Sequence, residues 1–205
     1  MTTQATEITD DGLLRRIIAG DKEAFKLLYR RTHPAIYRYA LRMSGNVALA
    51  EDVVQEVFMT LIRDAKRFDP ARGTLGGFLF GVARNHLRKR WEQEKRSVPL
   101  PADIEETGSR HLGGPNGNGL SGAADSSLES IETAVRVRQA IATLPENYRE
   151  AVVLCELEEM SYEEAALALD CPIGTVRSRL HRARTMLVEK LREGHAMSKT
   201  SGVRE

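Results

Sequence analysis

The chain has 205 residues and a mass of 22.9 kDa, room for one or two compact domains. Its 41% hydrophobic and 29% charged content is that of a globular chain, and 5% aromatics with a single tryptophan, Trp91, argue against a large sandwich or barrel core. A net charge of +1 says little until it is divided along the chain. Residues 11–96 carry 18 basic against 10 acidic side chains, a net of +8. Residues 97–130 carry one against five, a net of −4, and residues 173–192 carry six against one, a net of +5. Two basic regions flanking an acidic one point to a polyanionic partner touched at two places, although a solvated basic face has the same composition.

No apolar run reaches the roughly 18 to 20 residues that a membrane span needs, so no membrane insertion is expected. Residues 1–10 lack a basic start followed by an apolar stretch, so no secretion signal is expected. Cys155 and Cys171 cannot build a multi-bridge framework and match no metal-ligand spacing. These features lead to the expectation of a reducing, cytoplasmic location.

Asp21 and Asn46 each stand where a helix N-cap belongs, and Pro34 is expected to bend or interrupt the helix that begins near Lys22. After Asn46, the positions Ala50, Val53, Val54, Val57, Phe58, Leu61 and Ile62 follow the i, i+3, i+4, i+7 pattern of a helix face. Residues Phe68 to Gly73 carry the proline, aspartate and glycine of a loop. After Thr74 the helical pattern resumes at Leu75, Phe78, Leu79, Val82, Ala83 and Leu87.

Between Ser97 and Ser130 periodicity fails, and the run at 113–119 is Gly-Gly-Pro-Asn-Gly-Asn-Gly. Too little apolar surface is available there to offset ordering entropy, so a flexible linker is expected. As a random coil it would span roughly 30 Å, with a stretched limit of about 110 Å, enough to place two domains one to three DNA turns apart.

Helices are next expected over roughly 128–143 and 147–159, parted at Leu144-Pro145 because a residue before proline avoids helical geometry. Ser161-Tyr162-Glu163-Glu164 is a capping box opening a short helix that ends at Asp170-Cys171-Pro172, and another helix begins near Ile173-Gly174-Thr175. That is a helix-turn-helix layout. No segment alternates with period two. The expected fold is all-α: a tail over 1–9, a helical domain over 10–96, the linker over 97–130, a second helical domain over 131–192 and a polar tail over 193–205.

On the last helix, Val176, Leu180, Ala183, Leu187 and Leu191 form one apolar stripe expected to face the core. Thr175, Arg177, Ser178, His181, Arg182 and Arg184 occupy the opposite arc with Arg179 at its edge. Guanidinium groups on an exposed helix donate bidentately to guanine edges or phosphates, which favours a recognition helix in a major groove over a merely solvated one. In the first domain Arg84, Arg88, Trp91 and Lys95 share one face, with Asn85, Lys89 and Arg96 beside them. A basic stripe with an aromatic suits backbone tracking and base stacking, while a tryptophan packed in the core is the plain alternative. Asp52, Gln55, Glu56, Met59 and Arg63 lie outward on the helix after Asn46. This mixed, mildly acidic surface is ill-suited to phosphate and reads equally as solvent exposure or a protein docking face.

Four runs carry a resemblance. Residues 50–58 (AEDVVQEVF) look like the region 2.2 helix of extracytoplasmic-function (ECF) sigma factors of the sigma-70 family, and residues 78–85 (FLFGVARN) resemble regions 2.3–2.4. Residues 144–150 (LPENYRE) and 174–184 (GTVRSRLHRAR) resemble regions 4.1 and 4.2. The four occur in family order and the likeness covers roughly 10–96 and 130–192. It implies a factor that binds core RNA polymerase and directs initiation at chosen promoters. Asp52, Gln55, Glu56 and Met59 would dock on the β′ clamp helices, with the β flap as a further polymerase contact. The loop 69–74, including Arg72, with Arg84, Asn85, Arg88, Lys89 and Trp91, would open and hold the −10 element as single strand. Thr175, Arg177, Ser178, Arg179, His181 and Arg182 would read the −35 duplex. Family members are often held by an anti-sigma factor between the domains, which this linker would permit. Gly76, Gly77 and Phe78 depart from the family, which often has Arg or Ser and then Trp before the Leu-Phe pair.

Two other readings remain. An ordinary helix-turn-helix repressor or activator would dimerise on an inverted repeat, but a sensor domain has no need of a net charge of +8. An enzyme is the third: the five histidines are scattered and no nucleophile–base pair is spaced for chemistry. No catalytic residue, metal or cofactor is expected.

Overall fold

The computed structural model describes residues 9–97 and 128–200, and every regular element among them is helical. Helix α1 (Asp10–Ile18) is capped by Thr9, whose hydroxyl accepts from the Gly12 amide at 3.2 Å. Helix α2 (Lys22–Ser44) starts at Asp21, whose carboxylate accepts from the Glu23 and Ala24 amides and pairs with Arg16. It stops at Gly45, where a φ of 65° suits a residue without a side chain. Helix α3 (Val47–Asp64) is capped by Asn46 through the Leu49 amide. Two 3-10 turns, Ala65–Arg67 and Pro70–Arg72, lead to helix α4 (Leu75–Ser97). There Thr74 serves as cap, its hydroxyl accepting from Gly77 at 3.1 Å. The glycines at 76 and 77 do not delay this helix.

Behind the acidic segment come α5 (Leu128–Ala142), α6 (Glu146–Val152), a π-turn (Val153–Leu157), α7 (Tyr162–Leu169) and α8 (Ile173–Thr200). The capping box is formed in full: Glu164 N–H donates to the Ser161 hydroxyl, and Ser161 N–H donates to the Glu164 carboxylate. Asp170 closes α7 with a φ of 49°, a left-handed conformation that Asp tolerates better than most residues.

Several expectations change. Pro34 neither interrupts nor ends α2, which runs through it. Pro34 and Arg30 both face solvent, so water can satisfy the carbonyl that proline leaves without a donor. The stretch read as a helix over 147–159 is a two-turn α-helix followed by the π-turn. The stripe of α8 is buried only at Val176, Leu180 and Ala183; Leu187 is half-buried and Leu191 is exposed, because α8 outruns the helices that cover it. Helix α8 also continues through residues 193–200, which were expected to be tail. Ile62 is 57% exposed rather than core. Helix α1 was not anticipated. The linker expected over 97–130 and the tail over 1–9 fall almost wholly outside the described residues.

The larger difference is how the two helical groups meet. Buried side chains from α1–α4 and from α5–α8 form one continuous apolar cluster, with α7 lying along α4. Among the described residues no helix is long and apolar enough to cross a membrane.

Candidate nucleic-acid interface

Helix α8 presents the face that the wheel predicts. Arg177, Ser178, His181 and Arg182 are exposed while Val176, Leu180 and Ala183 sit against the core. The Arg177 guanidinium lies 5.9 Å from the Tyr162 ring centre, so the first residue of α7 steadies the first arginine of α8. Ser178 donates to the Thr175 carbonyl at 3.0 Å, and Thr175 is half-buried. Arg179 turns away from this row toward α4, with Nη1 3.9 Å from the Cys171 sulfur. Arg184 pairs with Glu156, which fixes it along the domain edge. The arrangement can place two guanidinium groups, an imidazole and a hydroxyl into a groove while the helix before it crosses the backbone.

Helix α4 places its expected strand-binding residues unequally. Asn85, Arg88 and Lys89 are exposed, and Trp91 is half-buried against the apolar cluster. Arg84 is buried: its Nε donates to Glu150 Oε1 of α6 at 2.8 Å, with 9% of the arginine and 1% of the glutamate side chain exposed. Burial pushes the Glu150 carboxyl above its ordinary value, and the charge and hydrogen bond of Arg84 recover only part of that. The side chain of Arg72 lies outside the described residues. Between α4 and the start of α8 is an open cleft of about 430 Å³, lined on one wall by Arg84, Arg88 and Trp91 and on the other by Asn147, Cys171 and Arg179.

On α3, Asp52, Gln55 and Met59 are exposed and Glu56 is half-exposed. Asp52 approaches Arg90 of α4 at 3.9 Å. His86 stands near the same acids, yet burial, the larger influence, holds its pKa below the ordinary value. Beside these residues is a groove of about 580 Å³ that periodicity did not reveal. Its floor is a ladder on α2 of Phe25, Tyr29, His33 and Tyr37, four residues apart, faced by Phe58 and Met59 of α3. Tyr29 packs at a tilt against Phe58 and His33, at 4.6 and 4.9 Å between ring centres. The signal in the sequence was that four-residue spacing of rings; it is indistinguishable from core spacing until the packing partner is known.

Cys155 has its thiol pushed up to about 11 by burial, with Glu156 adding to the effect, so it resists ionisation at neutral pH. Among the described residues no group of three His, Cys, Asp or Glu side chains is placed to hold a metal.

Comparison with known proteins agrees with this geometry. Residues 28–97 match the family model for sigma-70 region 2, and residues 134–187 match that for sigma-70 region 4. The chain is 34% identical to the ECF RNA polymerase sigma-E factor of Haemophilus influenzae, across 91% of this chain and 97% of that one. It is 30% identical to the ECF sigma factor SigW of Bacillus subtilis, across 88% and 95%. Among solved structures it is similar to the sigma factor RpoE of Bartonella quintana, determined in complex with the anti-sigma factor NepR. The identity there is 29% and the TM-score 0.59, covering 82% of this chain and 96% of that one. Two region models in the proper order, full-length relatives and a shared helical architecture establish that the chain belongs to the ECF sigma factors of the sigma-70 family, which direct promoter-specific initiation of transcription by RNA polymerase.

Proposed function

We propose that α8 reads the −35 element as duplex, that α4 and the loop before it hold the −10 element as single strand, and that α3 docks on the polymerase clamp helices. The exposed row Arg177, Ser178, His181 and Arg182, carried on a capped helix-turn-helix, is the observation that supports this most directly. Phosphate contacts give the binding its register, and base-edge contacts from the arginines give it sequence preference. On α3, Glu51 and Gln55 edge the aromatic groove and Asp52 and Glu56 lie on the side toward α4, and an apolar floor with a polar edge suits protein rather than nucleic acid. The proposed modules keep the bounds 10–96 and 131–192, joined by 97–130. An anti-sigma factor is a further proposed partner, by analogy with the Bartonella complex. The proposed location is the cytoplasm, and the chain itself is read as having no catalytic activity, polymerisation being the polymerase's chemistry.

The test is transcription with purified core polymerase on a library of promoter-sized DNA fragments, with the 5′ ends of the transcripts sequenced. The expected result is a set of discrete start sites sharing −35 and −10 elements. Arg177→Ala or Arg182→Ala should weaken −35 binding by about 1–3 kcal/mol and relax the preference at one base pair. Unchanged promoter affinity and preference in both variants would count against α8 as the reading element.

A further inference from the structure

We infer that Tyr162, the first residue of α7, is a specificity-determining positioning residue for −35 recognition, its ring holding the Arg177 guanidinium where it can read a base. This rests on the reading of α8 as the element that enters the −35 duplex. Arg182 is the other exposed arginine of that row, and among the described residues neither a ring nor a carboxylate supports it. The two arginines should therefore read their bases with unequal stringency.

Tyr162 is placed by its neighbours. The Ser161 cap and Glu164 fix the start of α7, and Tyr162 is half-buried against the apolar cluster. A tyrosine has only two side-chain torsions to fix, so little entropy opposes this placement. The Arg177 guanidinium stands 5.9 Å from the ring centre, inside the roughly 6 Å over which a ring face attracts a cation. The hydroxyl end of Tyr162 borders Arg184, which lies two turns beyond Arg177 on the same side of α8, about 10.5 Å along the axis. Arg184 is paired with Glu156, and that bond first, with the Tyr162 hydroxyl behind it, raises the Arg184 pKa above its ordinary value.

The two arginines beside Tyr162 are held by different chemistry, and the difference decides what each can do. Glu156 takes up donors of Arg184 and neutralises its charge, which leaves Arg184 little to offer a base edge. An aromatic face attracts the cation without accepting its N–H groups. Those groups lie in the guanidinium plane and stay free for the O6 and N7 of a guanine. Among the described residues no carboxylate pairs with Arg177. Tyr162 therefore restricts where Arg177 points without occupying its donors. A side chain already confined loses less freedom on engaging its base, and it cannot swing to an acceptor on a mismatched one.

The experiment compares base preferences. Full-length chains carrying Tyr162→Leu or Tyr162→Phe are assembled with core polymerase on fragments whose −35 element is randomised, and transcripts are counted by template sequence. Tyr162→Leu should relax the preference about two- to fivefold at a single base pair, the one that Arg177→Ala relaxes. The preference that Arg182→Ala relaxes should stay as in the parent. Tyr162→Phe, which keeps the ring, should retain every preference of the parent. In a chain already carrying Arg177→Ala, Tyr162→Leu should relax nothing further. A loss spread evenly over all −35 positions, or an equal loss in the Leu and Phe variants, overturns the inference, because a merely structural residue would produce it. Unchanged preference in Tyr162→Leu overturns it too.

A second measurement leaves the ring in place. In the nuclear magnetic resonance spectrum of the free chain, the Arg177 Nε–H and δ protons should lie upfield of those of Arg182, displaced by the ring current of Tyr162. The signals are assigned by Arg177→Lys and Arg182→Lys. Coincident positions overturn the inference even where Tyr162→Leu fails to fold. If the upfield displacement is present but Arg177→Ala relaxes no base pair, the hold on Arg177 stands and it is the assignment of α8 to the −35 element that fails.

Discussion

Arg84 shows how far one side chain's role depends on its partner. By spacing it belongs to a basic stripe; by packing it is half of a buried ion pair whose other half comes from 66 residues away. Removing one member of such a pair costs about 3–5 kcal/mol when the remaining charge stays buried. The pH dependence follows from the raised pKa of Glu150. A carboxyl raised in the native state stabilises that state fully below its unfolded value of about 4.3, and the contribution is lost as pH climbs through the raised value. In Arg84→Ala the raised value should climb further. Amide protection of α7 in that variant, corrected for intrinsic exchange, should therefore fall more steeply than in the parent as pH rises above the ordinary glutamate value. An identical pH profile in variant and parent would show that Arg84 does not set the titration of Glu150.

The helices are held by two kinds of local signal, one complete and one in conflict. The capping box of α7 is complete, and Ser161→Ala should cost about 1 kcal/mol in urea unfolding. Partial burial raises the Glu164 pKa, but hydrogen bonds from the Ser161 amide, the Thr74 hydroxyl and the Ser161 hydroxyl outweigh it and leave the value lowered. Its contribution is present above the ordinary glutamate value and is lost as pH falls through the lowered one. Pro34 is the conflict. It sits inside α2 with no donor to give, so Pro34→Ala should stabilise the chain by about 1–3 kcal/mol, less the entropy that proline removes from the unfolded state. A lower thermal midpoint in that variant would mean that Pro34 shapes α2 for packing. The caps at Asp21, Asn46 and Ser161 were legible because each acts within three residues. The passage of α2 through Pro34 was not, because it turns on which side of the helix meets water.

At the scale of the molecule, two faces are open to a partner. The α2–α3 groove is open, and Gln55→Ala with Glu56→Ala should reduce co-purification with core polymerase by about tenfold while leaving the helical content intact. Undiminished co-purification would move the docking face elsewhere. The row on α8 is open as well, and the exposure of Arg177, Ser178, His181 and Arg182 is what the helical wheel predicted. On α4, Asn85, Arg88 and Lys89 are exposed too, while Arg84 is buried against Glu150.

The reason for that division is physical. Periodicity, caps and charge act over one or two helical turns, so the chain by itself determined that its elements are helical, where α2, α3 and α7 begin, and which arc of α8 carries the arginines. Family order of the four motifs then identified the molecule. Burial of Arg84 by Glu150, exposure of Ile62 beside an aromatic ladder, and the approach of α7 to Gly77 and Gly81 all depend on contacts between residues far apart in the chain. Such contacts leave no period in the sequence, and only the packing of one helical group on the other decided them.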